Sequence, residues 1–214
     1  MLKETDGQRA NSMPPHASID DANVNANINA KLNALATSQQ VLDFWFEELT
    51  PKQWFIKSDD LDREIAERFG ETLAAAACCE CWQWRETPAG RVAEIVMLDQ
   101  FSRNVHRDTP SAFAQDPLAL ALAQELISRG EDDALPLTRR IFAYMPFMHS
   151  ESLAIHDQAI KLFDRPGMEE QLDYEHRHRA IVERFGRYPH RNTILGREST
   201  PEEIEFLRQP GSSF

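Results

Sequence analysis

From Ser38 to its C-terminus the chain carries helix start and stop signals about every 15 to 25 residues, with apolar side chains at three- and four-residue steps between them. No stretch alternates apolar and polar residues in the company of a second such stretch, so a sheet has nothing to pair with. Ser38 opens a first helix to about Leu49, with Val41, Leu42, Trp45 and Phe46 as its apolar stripe, and Pro51 follows. Ser58 opens a second, to about Arg85, on Leu61, Ile65, Phe69 and Leu73. Thr87-Pro88 places proline at the first position of a third, which runs to about Val105. Asp116-Pro117 repeats that signal, and Gly130 suits the left-handed turn after the fourth helix. A fifth is expected from Leu135 to Tyr144, where Pro146 breaks or kinks the chain. A sixth spans Met148 to Phe163, and a seventh Met168 to Phe185, ending at Gly186. Thr200-Pro201-Glu202-Glu203 is a capping box for a short last helix. The expected fold is all-α: seven or eight helices in antiparallel hairpins.

A chain of 214 residues suits one domain, here 38–214, preceded by an arm at 1–37 that is poor in large apolar groups. In that arm Asn23, Asn25, Asn27 and Asn29 alternate with Val24, Ala26 and Ile28, and it is expected to be disordered or loosely docked. No uncharged apolar run approaches the roughly 18 to 20 residues of a membrane span, and no secretory core opens the chain, so the expected place is the cytoplasm. The net charge of -12 argues against nucleic acid or an anionic membrane as main partner. Cys78, Cys79 and Cys81 lack partners at metal-finger spacing and are expected to pack as small buried hydrophobes. No cofactor or metal motif is present. Trp45, Trp54, Trp82 and Trp84 are expected in the core, or else on a dimer surface.

One spacing occurs twice. Phe101, Arg103, His106, Arg107 and Phe185, Arg187, His190, Arg191 both read F-x-R-x-x-H-R, 84 residues apart. On the third helix Asp99, Arg103 and His106 fall at i, i+4 and i+7, so Asp99 can pair with Arg103 and orient it. That stripe also reads simply as a solvated face. The second copy leaves a helix in a loop, inside a basic island of Arg177, Arg179, Arg184, Arg187, Arg191 and Arg197 opposed only by Glu183. Arginine outnumbers lysine 18 to 5, and its planar fork suits carboxylate or phosphate. The same arginines could instead cap helix carbonyls and pair with acids elsewhere. His149-Ser150-Glu151 reads as the start of the sixth helix, and His149 or Glu151 could also transfer protons. His178 reads as a satisfied core histidine, and His156-Asp157 lacks the companions a metal site needs.

The strings VLDFWF (41–46), LDQFSRNVHR (98–107), YMPFMHSE (144–151) and HRAIVERFGRYPHRNTILGRESTPEE (178–203) resemble the bacterial family known as domain of unknown function 924. The resemblance implies a tetratricopeptide-like helical fold and brings no activity. Taken together, the residues suggest a binding protein whose anionic ligand, a phosphate, a small carboxylate or an acidic peptide end, meets Asp99, Arg103, Asn104, His106, Arg184, Arg187, His190, Arg191, Asn192 and Arg197. Arg103, Arg187 and Arg191 would be the clamp. The alternatives are a hydrolase or phosphoesterase with His149 or His178 as acid/base beside Glu151, and an arginine network that is purely structural.

Overall fold

The structure is a computed structural model that describes residues 35–213. The expected arm at 1–37 lies almost wholly outside the described residues. Described residues are helical or irregular, without strands, so the chain is all-α as its periodicity implies.

Helix α1 (Ser38–Asp43) starts one residue later than its cap: Thr37, rather than Ser38, accepts from the Gln40 amide and completes a capping box. It passes directly into a five-residue π-helical stretch, Phe44–Glu48. After the single turn α2 (Pro51–Trp54), α3 (Asp59–Ala77) is capped by Ser58 as expected. It stops well short of Arg85, because Cys79 takes the left-handed conformation at φ 60° and a 3-10 turn, Trp82–Glu86, follows. Cys78 and Cys79 are therefore exposed and only Cys81 is buried, which corrects the expectation for two of the three thiols. Trp45 and Trp82 part in the same way: one is fully buried, the other 57% exposed.

Thr87 caps α4 (Pro88–Val96), which continues through a second π-helical stretch, Met97–Phe101, into α5 (Ser102–Val105). Gly90 through Ser102 are all buried, so this run is surrounded by protein on every side. Helix α4 packs against α1, α6 (Asp116–Ser128) and α7 (Leu137–Met148). The aromatic core gathers beside it: Phe44, Phe69 and Phe101 meet at 5.0 to 5.9 Å between ring centroids, and Trp45, Trp54 and Phe142 extend the cluster. Arg91 and Glu94, also buried on α4, are held by Glu125 and Arg85 respectively.

Helix α7 carries Pro146 inside its last turn, so the expected break does not occur. Residues Phe142 to Met148 are buried throughout, and that packing outweighs the one backbone bond proline forgoes. The sixth expected helix is correspondingly shorter: α8 (Leu153–Phe163) begins after Ser152, and His149-Ser150-Glu151 forms the connection rather than a helix start. Helix α9 (Glu169–Phe185) packs on α8 and ends at Gly186, φ 70°. A 3-10 turn, Pro189–Arg191, leads on to α10 (Pro201–Phe206), whose Thr200–Glu203 capping box forms as read.

Gly90 marks the tightest approach in this frame. A Cβ there would stand 2.1 Å from the Trp84 carbonyl oxygen, a backbone atom that cannot swing away. Gly90→Ala is expected to destabilise the fold by about 1–3 kcal/mol despite alanine's better helix propensity. Chemical denaturation checks this, and an unchanged midpoint would contradict it.

Candidate functional site

The π-helical stretch Met97–Phe101 decides where the polar groups go. Residues of a π turn project differently from those of a regular helix, and such turns gather at functional sites. Here Asp99 faces inward, 1% exposed, and its carboxylate must find partners. Oδ1 lies 2.7 Å from His149 Nδ1 and 3.1 Å from Arg103 Nη1, while Oδ2 accepts from Gln100 at 2.5 Å. Burial pushes the Asp99 carboxyl up, but the Arg103 charge and His149 outweigh it and hold it below the usual carboxylate range.

Arg103 also reaches Asp116, at 2.9 Å to Oδ1 and 3.1 Å to Oδ2. From the other motif, Arg191 Nη1 donates to the same Oδ2 at 3.1 Å. The two motif segments thus meet on one anion, and that anion is the protein's own Asp116. Arg191 is buried between the rings of Phe113 and Tyr188, 4.6 and 4.8 Å from their centroids, and donates to the His149 carbonyl at 2.9 Å. His149 is thereby held at its carbonyl by one motif and at its ring by the partner of the other.

Glu151 does not orient His149. It accepts two hydrogen bonds from Arg197, at 2.7 and 2.9 Å, and one from the Tyr188 amide. Arg197 Nε in turn reaches the buried Asn192. Arg187 is paired with Glu203 at 2.7 Å and donates to the Glu198 carbonyl. Its hydrogen bonds hold the Glu203 carboxyl down to about 2, against a smaller opposing effect of burial. Arg184 pairs with Glu202 on the surface. Asn104 joins Arg107 on Asp62 of α3, and no hydrogen bond or ion pair brings the His106 ring to Asp116 among the described residues. His190 packs its ring 5.5 Å from that of Tyr188, and burial, with the charge of Arg191 nearby, lowers it to about 4. His178 sits buried on α9, donates to the Tyr174 carbonyl, and is driven down by burial to about 3. Among the described residues no group of three or more His, Cys, Asp or Glu is placed to hold a metal ion, and no helix is long and apolar enough to cross a membrane.

Four residues central to this arrangement were not singled out from the sequence as site residues: Asp116, Phe113, Tyr188 and Glu203. Asp116 and Glu203 were visible only as helix-start signals. Each does a second job with its side chain that no local pattern shows.

Over residues 41–211 the chain matches the family described as bacterial protein of unknown function, DUF924. It belongs to this family. A protein of unknown function from Agrobacterium tumefaciens, ATU0120, has a similar structure, with 42% identity and a TM-score of 0.76 over 79% of this chain and 96% of that one. No curated protein matches.

Two expectations follow for this DUF924 member. Arg103→Met takes the paired cation from the buried Asp99 carboxylate and from Asp116, leaving Asp99 only His149 and Gln100, so it should cost about 3 kcal/mol or more, whereas Arg184→Met, at an exposed pair, should cost less than about 1 kcal/mol. Equal losses in denaturant titrations would overturn this. His178 and His190 stay neutral in the fold while the unfolded chain takes up protons below its ordinary value of 6.5. Stability is therefore expected to fall as pH drops from about 6.5 towards 4, and the fall should be smaller in His178→Gln. Melting curves across that range test it.

Proposed function

We propose that this chain is a hydrolase-type enzyme in which His149 transfers the proton, Asp99 orients it, and Arg103 and Arg191 stabilise negative charge developing on a small anionic substrate. The reading is carried by the 2.7 Å contact between His149 Nδ1 and the buried Asp99 carboxylate. An ionised carboxylate only accepts, so Nδ1 bears the hydrogen, and in a neutral ring that tautomer leaves the lone pair at Nε2. Among the described residues Nε2 has no hydrogen-bond partner, and the side chain is 18% exposed, so the ring is not sealed from solvent. In this mechanism Nε2 takes a proton from water as the water attacks a carbonyl or phosphoryl centre, and returns it to the leaving group. The neighbouring guanidinium groups, fixed in place beforehand by Asp99 and Asp116, would supply the positive charge that favours the negative charge as it forms. His178 is the weaker candidate base, being buried and held by a backbone carbonyl.

One observation favours a second, structural reading. Arg103, Arg184, Arg187, Arg191 and Arg197 each already hold a carboxylate of this chain. Under it the network only fastens helices and His149 is a bystander.

Phosphomonoesters and carboxylic esters with chromogenic leaving groups, together with diethyl pyrocarbonate labelling of the histidines, separate the two. The enzyme reading expects turnover that His149→Gln lowers about 100-fold or more without a comparable loss of melting temperature. It also expects Asp99→Asn to be as damaging, since an amide permits the wrong tautomer. Turnover indifferent to His149→Gln, or no turnover together with a His149 ring no more reactive than the buried histidines, would transfer the conclusion to the structural network.

A further inference from the structure

Behind His149 lies a second polar pair that the mechanism does not use. His156 on α8 and Glu175 on α9 are both fully buried, with Nδ1 and Oε1 2.6 Å apart. His156 Nε2 lies 2.9 Å from the Ser150 carbonyl and 3.2 Å from the Tyr188 hydroxyl. A carbonyl can only accept, so Nε2 carries a hydrogen. The Tyr188 hydroxyl gives its own hydrogen to the Met148 carbonyl at 2.6 Å, so towards Nε2 its oxygen is the acceptor.

The remaining question is which partner holds the proton between Nδ1 and Oε1. An imidazolium facing a carboxylate and a neutral imidazole facing a carboxylic acid contain the same number of protons. The other carboxyl oxygen distinguishes them. Glu175 Oε2 is buried and has no hydrogen-bond partner among the described residues. In a carboxylate that atom would carry shared negative charge with no donor in a low-dielectric interior, whereas in the acid it is only an unpaired carbonyl oxygen. Other ionisable groups face the carboxyl from each side: His156 from α8, His176 on its own helix, and His149 from the loop. Their positive forms would favour the carboxylate, yet burial prevails and raises Glu175 above its ordinary range.

We infer that Glu175 and His156 form a neutral pair, the acid O–H donating to Nδ1, and that this pair is a positioning device for His149. The second half of the inference rests on the reading of His149 given above. Three successive carbonyls around that residue are each held by a buried group. Tyr188 holds Met148, Arg191 holds His149 itself, and His156 holds Ser150. Remove the Glu175 proton donor and the imidazole loses the partner that holds its Nδ1 edge, so the ring that donates to Ser150 is no longer fixed in place.

Glu175→Gln and Glu175→Leu test both halves in the full chain. Glutamine can donate an N–H to Nδ1 as the acid does, whereas leucine cannot. The wild type should show a protonated-carboxyl infrared band that Glu175→Gln removes, and 15N spectra of His156 with one bare and one protonated ring nitrogen. An imidazolium pattern at His156, or a Glu175→Gln variant that melts as early as Glu175→Leu, would overturn the neutral pair. For positioning, the rate at which diethyl pyrocarbonate labels His149 should be kept in Glu175→Gln and altered severalfold in Glu175→Leu. An unaltered rate in Glu175→Leu would overturn that role. If instead turnover survives His149→Gln while the infrared and 15N signatures stand, the enzyme reading falls and the neutral pair does not.

Discussion

The carboxylate of Asp116 is the point on which the polar interior depends. It receives Arg103 from the run that follows α4 and Arg191 from a turn 75 residues further along the chain. Neither arginine could be drawn this far inside alone, because an unpaired guanidinium loses its hydration and gains nothing for it. With Asp99, Asp116 and Glu151 facing Arg103, Arg191 and Arg197, three negative charges meet three positive ones. Arg191 adds a further device. Its guanidinium carbon lies over the rings of Phe113 and Tyr188 while its N–H groups donate, which suits a weakly hydrated planar cation better than a lysine. Taking away either sign leaves the other buried, so the network is far more costly to break at one member than its own net stabilisation suggests.

How much of this the sequence could show follows from the range over which each signal acts. Caps are local, and Ser58, Thr87 and Thr200 sit where their spacing implies. The two π-helical stretches are not local in that sense. They follow regular helix without a break, and their apolar residues still read as helical, so neither Phe44–Glu48 nor Met97–Phe101 announces itself. The end of α3 was hidden for a related reason. A left-handed residue past a helix end is ordinarily glycine, and here it is Cys79, so the alanine run gave no sign of stopping. Pro146 erred in the opposite direction: a strong local signal was overridden by the burial of the whole turn around it.

The site was legible only in halves. Asp99 with Arg103 is an i, i+4 pair and could be read, although its burial could not. The pairs that close the network join residues 13, 16, 46 and 75 positions apart: Arg103 with Asp116, Arg187 with Glu203, Arg197 with Glu151, Arg191 with Asp116. Spacing rules do not reach so far. The two copies of the repeated motif do meet on Asp116, in an unexpected register. Arg103 is the third residue of its copy and Arg191 the seventh of the other, so the two copies contribute non-equivalent arginines. Arg187, which matches Arg103 by position, serves α10 instead through Glu203.

That register bears on what the centre can do. A clamp of three free arginines would draw an anion by charge, and such a site would announce itself through strong salt dependence. With Asp99 and Asp116 already cancelling Arg103 and Arg191, the long-range pull on a free anion is small, and little affinity can come from net charge. What the arrangement retains is direction: guanidinium groups pinned by Asp99, Asp116 and the His149 carbonyl, beside an imidazole whose Nδ1 faces a buried carboxylate. Fixed dipoles of that kind contribute little to holding a charge that is present from the outset and more to a charge that appears during reaction, because they need no reorganisation when it forms. The same neutralisation that weakens the case for a simple anion-binding protein is therefore compatible with an acid–base centre built on His149.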